Sequence, residues 1–161
     1  DDIFALAESR NESPFIVVCD SLEDPHNLGA ILRSAEAAGV HGVIIPKRNS
    51  VTLNYTVAKT SAGAIEYVPV VKVANLPAAI DELKSRGVWI FGADMDGTDY
   101  TALDYSGSIA LVIGSEGSGM TRLAAENCDF LVSIPMKGKI SSLNASAAAA
   151  ILLYEAVRQR G

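Results

Sequence analysis

Phe15-Ile16-Val17-Val18-Cys19-Asp20 is a β-rich run with apolar residues on both faces, the pattern of a central strand in a parallel sheet. Asp24-Pro25 follows it and opens a helix, with Asp as a cap and Pro in the first turn. That helix carries Leu28, Ile31, Leu32 and Ala35 on one face and stops at Gly39, and Gly42-Val43-Ile44-Ile45-Pro46 is the next strand. Strand, helix and strand within about 30 residues make a βαβ unit, which fixes the class as α/β.

The alternation continues along the chain. A short helix is expected over 56–62, a strand over 68–73, a helix over 76–86 stopped by Gly87, and a strand over 88–93. A looser polar stretch over 94–107 leads to Ile109-Ala110-Leu111-Val112-Ile113-Gly114. A glycine-rich loop, a helix over 121–127, a strand over 130–134 and a last helix complete the pattern. The expected fold is therefore α/β, a mainly parallel sheet with helices on both faces, in a single domain over 1–161. The last helix places Leu143, Ala147, Ala150, Ile151 and Tyr154 on one face and Ala148, Leu152 and Ala156 on another. A helix that is apolar all round is buried, in the core or against another subunit.

Composition narrows the function. With 49% apolar and 20% charged residues in a 161-residue chain, a folded core is expected rather than disorder. Charged residues, Gly or Pro interrupt every apolar run short of a membrane span, and the first ten residues do not resemble a signal peptide. A net charge of −6 argues against a generally polyanion-binding surface and leaves Lys137 with Lys139 as a local basic patch. Cys19 and Cys128 lack metal-ligand spacing and read as buried free thiols of a cytoplasmic protein.

Three loops that follow strands concentrate polar residues. In the first, Asn27 and Gly29 lie near a helix start, where a polar ligand group meets N–H donors, and Arg33 lies off the apolar face. The second, Gly114-Ser115-Glu116-Gly117-Ser118-Gly119, has the spacing G-x-x-G-x-G and lies late in the chain, so it is no dinucleotide fingerprint. The third is Ile134-Pro135-Met136-Lys137-Gly138-Lys139-Ile140-Ser141-Ser142-Leu143-Asn144-Ala145-Ser146, in which Ser142 is either a helix cap or a functional hydroxyl. No Ser-His-Asp set is visible, since the histidines are His26 and His41 alone, and no metal cluster is apparent.

Taken together, three stretches resemble the three motifs of the SpoU (TrmH-type) RNA ribose methyltransferases in order and spacing, from Pro14 onward. They are Asn27-Leu28-Gly29-Ala30-Ile31-Leu32-Arg33-Ser34-Ala35, Leu111-Val112-Ile113-Gly114-Ser115-Glu116-Gly117-Ser118-Gly119-Met120, and Ile134-Pro135-Met136 through Ser146. The stretches Asp24-Pro25-His26-Asn27-Leu28-Gly29 and Glu155-Ala156-Val157-Arg158-Gln159-Arg160 resemble the branch that methylates a guanosine ribose in large-subunit ribosomal RNA.

The resemblance implies a SPOUT fold, in which the C-terminal segment threads a deep trefoil knot, an exception to the general rarity of knots. It also implies a homodimer, an RNA substrate and S-adenosylmethionine bound in the knot without a metal. By motif matching, Gly114, Ile134, Met136 and Leu143 line the cofactor pocket, and Asn27, Arg33, Glu116, Ser142 and Asn144 surround the reacting ribose. Residues 1–13 are expected to be a linker from an upstream RNA-binding domain. A tRNA guanosine methyltransferase and a non-catalytic RNA-binding or assembly module of the same fold are the alternatives.

Overall fold

The structure is a computed structural model that describes residues 2–22, 24–47, 55–115, 119–140 and 143–161. Its elements in chain order are α1 (Asp2–Ser9), β1 (Phe15–Cys19), α2 (Pro25–Ala38), β2 (Gly42–Pro46), α3 (Tyr55–Thr60) and β3 (Val70–Val73). Then follow α4 (Leu76–Ser85), β4 (Trp89–Asp99), β5 (Ile109–Ile113), α5 (Arg122–Asn127), β6 (Phe130–Ser133) and α6 (Ala145–Arg160). Local chemistry sets the helix ends. Asp24 accepts the His26 N–H at 2.8 Å ahead of Pro25, and Gly39, at φ 80°, closes α2 in the left-handed conformation that glycine adopts at no steric cost.

The strands lie in the order β3-β2-β1-β5-β4-β6, and every pairing is parallel. Val17 pairs with Val43 on one side and Leu111 on the other, so β1 is central, as its two apolar faces require. The sheet has a core on each face. Phe15, Val17 and Cys19 of β1 face α2 and α6, packing with Leu28, Ile31, Leu152 and Leu153. Ile16 and Val18 face α1, α4 and α5, packing with Ile3, Ile80, Leu83 and Ala124. Each such Leu or Ile, fully buried, contributes roughly 1.5–3 kcal/mol.

The structure adds detail at three places and corrects the first. Residues 94–99 are not loose: β4 continues to Asp99, because a register shift between Ala93 and Thr98 pairs both with Val132 of β6. Gly97 permits this fold-back, since a Cβ there would stand 2.5 Å from the carbonyl carbon of Leu131. Within the stretch 1–13, residues 2–9 form α1, which buries Ile3 and Ala7. Within this single chain the last helix is covered at Ala145, Ala149, Leu152, Leu153 and Ala156, while Ala147 is exposed and Tyr154 is 47% exposed. Among the described residues, no helix is long and apolar enough to cross a membrane.

Candidate active site

Open parallel sheets place ligands beyond the carboxyl ends of their strands, and here those ends are carved into a cavity of about 610 Å³. Its walls are the ends of β4, β5 and β6, the segment after β6, and the first turns of α6. Gly114, Ile134, Met136 and Leu143 all line it, so the four residues assigned to a pocket by motif matching are brought together. Gly114 must be glycine, because a Cβ there would collide with the backbone of Gly119 and Met120. Ser115 and Gly119 exchange backbone hydrogen bonds of 3.1 and 2.9 Å, so these two residues of the second loop lie side by side.

Asn27 and Asn144 also meet. The Asn144 Nδ2 donates to Asn27 Oδ1 at 3.1 Å, joining the first and third loops across 117 residues. Asn27 is buried near the start of α2, 7% exposed, so its carbonyl is held in place by its surroundings. Asn144 does double duty. Its Oδ1 accepts the Ala147 N–H at 2.9 Å and the Ser146 hydroxyl at 3.2 Å, making it the N-cap of α6. The cap that the sequence offered to Ser142 therefore belongs to Asn144.

The remaining assignments fare differently. Arg33 is exposed on α2 and outside the cavity wall, with no side-chain hydrogen bond or ion pair among the described residues. Glu116 and Ser142 lie outside the described residues. Gly29, read as opening N–H donors to a ligand, has a packing reason instead: a Cβ there would run into the Thr60 side chain of α3. Lys137 has an acidic neighbour. The Asp99 carboxyl is held below its ordinary value mainly by the Thr101 N–H and hydroxyl, with the Lys137 charge adding a smaller effect.

Sequence reasoning missed the β4 contribution, Ala93 to Asp96, and the floor formed by Met120 and Leu152. Asp94 and Asp96 were hidden in a stretch read as a connection, and only the strand continuation brings them to the cavity. Cys19 and Cys128 have no disulfide, and burial pushes both thiols up to about 12, which favours the neutral thiol over the thiolate. Among the described residues no three His, Cys, Asp or Glu side chains cluster as metal ligands would.

The family model described as the SpoU rRNA Methylase family matches residues 14–154. The chain belongs to the SpoU methylase family. A Bacillus subtilis (strain 168) protein named within the TrmH family of tRNA/rRNA methyltransferases, YacO, is 53% identical over 161 residues, covering 99% of this chain and 65% of its own length. The chain thus spans just under two thirds of that relative. The crystal structure of the SpoU methyltransferase AviRb from Streptomyces viridochromogenes, in complex with the cofactor AdoMet, superposes with a TM-score of 0.86 at 35% identity. That match covers 92% of this SpoU-family chain and 61% of AviRb. A further crystal structure, named as an RNA 2′-O ribose methyltransferase, gives a TM-score of 0.82 at 31% identity and covers 92% of this chain and 57% of its own.

Proposed function

We propose that this chain is the catalytic domain of an S-adenosylmethionine-dependent methyltransferase acting on the ribose 2′-hydroxyl of a guanosine in large-subunit ribosomal RNA. The observation that carries the reading is the single cavity that unites Gly114, Ile134, Met136 and Leu143, with Asn144 adjoining it in the chain and bonded to Asn27. Its volume falls within the range of small-molecule sites, roughly 300–1,000 Å³. Apolar walls from Ile134, Leu143 and Leu152 suit a flat adenine, and the glycine at 114 lets a ligand reach backbone groups. The donor set therefore fits the cofactor that the AviRb crystal contains.

When bound, S-adenosylmethionine supplies an electrophilic methyl on a sulfonium. The chain's own residues do the rest. The 2′-hydroxyl must sit in line with the methyl–sulfur bond, a positional demand that rigid polar side chains meet. Asn144 or Ser142 aligns the hydroxyl, with Asn27 fixing the Asn144 amide. Arg33, exposed and without a protein partner among the described residues, grips the phosphate beside the target ribose through a bidentate guanidinium. Its guanidinium is too weak an acid to serve as the base, so positioning and charge stabilisation are its work.

The rest of the reading concerns assembly. The C-terminal segment threads a trefoil knot around the cavity, and two chains pair through the exposed Ala147 and Tyr154 side of α6. Residues 1–13 lead from an upstream RNA-binding domain, and the protein works in the cytoplasm. The YacO relative's name covers both tRNA and rRNA, so a tRNA guanosine is the second substrate class. The test maps ribose methylation on total RNA from cells with and without the gene. Loss of one mark in large-subunit ribosomal RNA is expected, whereas loss confined to tRNA overturns the ribosomal assignment. Arg33→Ala should abolish that mark without weakening cofactor binding; full methylation by the variant would remove the phosphate-gripping role.

A further inference from the structure

β1 and β5 are the neighbours at which the strand order reverses, since the chain leaves β1 towards β2 and β3 and later returns on the other side. Such a switch point is the place where an α/β sheet leaves a crevice. Here one side chain bridges it. Asp20 directly follows β1, and its backbone N–H still donates to Ile113 of β5 at 2.8 Å. Its carboxylate is buried, only 5% exposed, and its Oδ2 accepts the backbone N–H of Thr121 at 2.6 Å. The Ser21 hydroxyl donates to Oδ1 at 3.2 Å. Thr121 directly follows Met120, which lines one wall of the cavity with Gly114, Ser115 and Gly119.

We infer that Asp20 is a positioning residue for the cofactor cavity, a buried latch that fixes the end of the 114–120 loop to the end of β1. The β5 ladder holds the stretch that leads into Gly114, and the Ser115–Gly119 exchange joins those two residues. Asp20 fixes the far end, so Met120 and Gly119 keep their places against Gly114 and in the wall. A hydrogen bond to a buried carboxylate is among the stronger ones, and deleting one partner leaves the other unsatisfied. The same loop after β1 leads into α2 with Asn27, which meets Asn144. Asp20 thereby adds the second loop to the pair already joined. The inference rests on the cavity holding S-adenosylmethionine, which titration of the unaltered protein tests separately.

The latch can be cut from the backbone side. Thr121 sits at φ −65°, the angle proline imposes, so Thr121→Pro removes the donating N–H with little backbone change at that residue. Thr121→Ala removes the side-chain cap of α5 and keeps the N–H, and serves as the control. Calorimetric titration with S-adenosylmethionine should show Thr121→Pro weaker than Thr121→Ala by about tenfold, with Asp20→Ala weakened similarly. Asp20→Asn keeps an acceptor oxygen and should stay within about threefold of the unaltered protein. In turnover assays the same variants should raise KM for the cofactor and leave kcat nearly unchanged. Equal affinities for Thr121→Pro and Thr121→Ala would overturn the latch. So would an Asp20→Asn protein as weak as Asp20→Ala, since charge rather than the hydrogen bond would then be at work. If Asp20→Ala does not fold, the Thr121 pair decides alone.

Discussion

The two ends of the parallel sheet are built differently. At the amino end, long side chains tie backbone to backbone. Arg160 donates to the carbonyl oxygens of Gly107 and Ser13 at 2.5 Å each and of Tyr105 at 3.3 Å, with its guanidinium 4.8 Å from the Phe15 ring centre. Gln159 accepts the Tyr105 N–H and donates to the Leu103 carbonyl, while His41 accepts the Phe15 N–H on Nδ1 and meets Glu12 through Nε2. At the carboxyl end, by contrast, the cavity depends on what is left out: no side chain at Gly114, and small residues at Ala145 and Ala148. The amino end secures the fold, and the carboxyl end keeps space for a ligand. Substitutions should therefore separate by end, those at the amino end lowering stability alone and those at the carboxyl end lowering binding as well.

The largest separation is expected at Gly114. Gly114→Ala drives a methyl into the Gly119–Met120 backbone, and calorimetry should show S-adenosylmethionine binding weakened by about a hundredfold, given the usual cost of overpacking. Arg160→Ala should do the reverse. Three carbonyls lose their donor, so the protein should lose about 2 kcal/mol, read as a fall of roughly 6 °C in Tm, with cofactor affinity unchanged. A variant of Arg160 that lost binding in step with stability would erase the distinction between the ends.

Asn144 tests whether one residue serves both purposes. Asn144→Ala should cost about 1 kcal/mol as a lost N-cap and also stop methyl transfer. Asn144→Ser restores a capping oxygen and most of that stability, but it has no amide to give Asn27, so transfer should stay low. Recovery of both by Ser would leave Asn144 a cap and nothing more.

The smallest effect is expected at Glu155, on the far half of α6. Hydrogen bonds from Arg158 first, then Gln159, hold its carboxyl at about 2, below the ordinary 4.5. A carboxyl so lowered contributes stability that is complete above its unfolded-state value and fades as pH drops from about 4.5 towards 2. Thermal melts of Glu155→Gln should therefore vary less with pH than the unaltered protein across that window.

Much of the arrangement was legible in the residues. The two-faced apolar run at Phe15–Cys19 indicates a central parallel strand, and Asp24-Pro25 with Gly39 brackets α2, because caps and strand burial are local physics. Gly114, Ile134, Met136 and Leu143, which line the cavity, were named by the resemblance to the SpoU motifs and not by composition or spacing alone. What stayed hidden depends on contacts far apart in sequence. The Asn27–Asn144 bond spans 117 residues and Asp20–Thr121 spans 101, so neither leaves a periodic trace. The continuation of β4 past Ala93 was hidden for another reason: Asp94, Asp96 and Asp99 are poor strand formers, and pairing with Val132 and Ser133 overrides that preference.

The central claim is that the carboxyl end of the sheet is a cofactor site built on Gly114. Titrating the folded protein with S-adenosylmethionine, side by side with Gly114→Ala, tests it most directly. One molecule bound per chain, with binding about a hundredfold weaker in a variant that still folds, is the predicted result. No binding by a demonstrably folded sample, or equal binding by the variant, would contradict it.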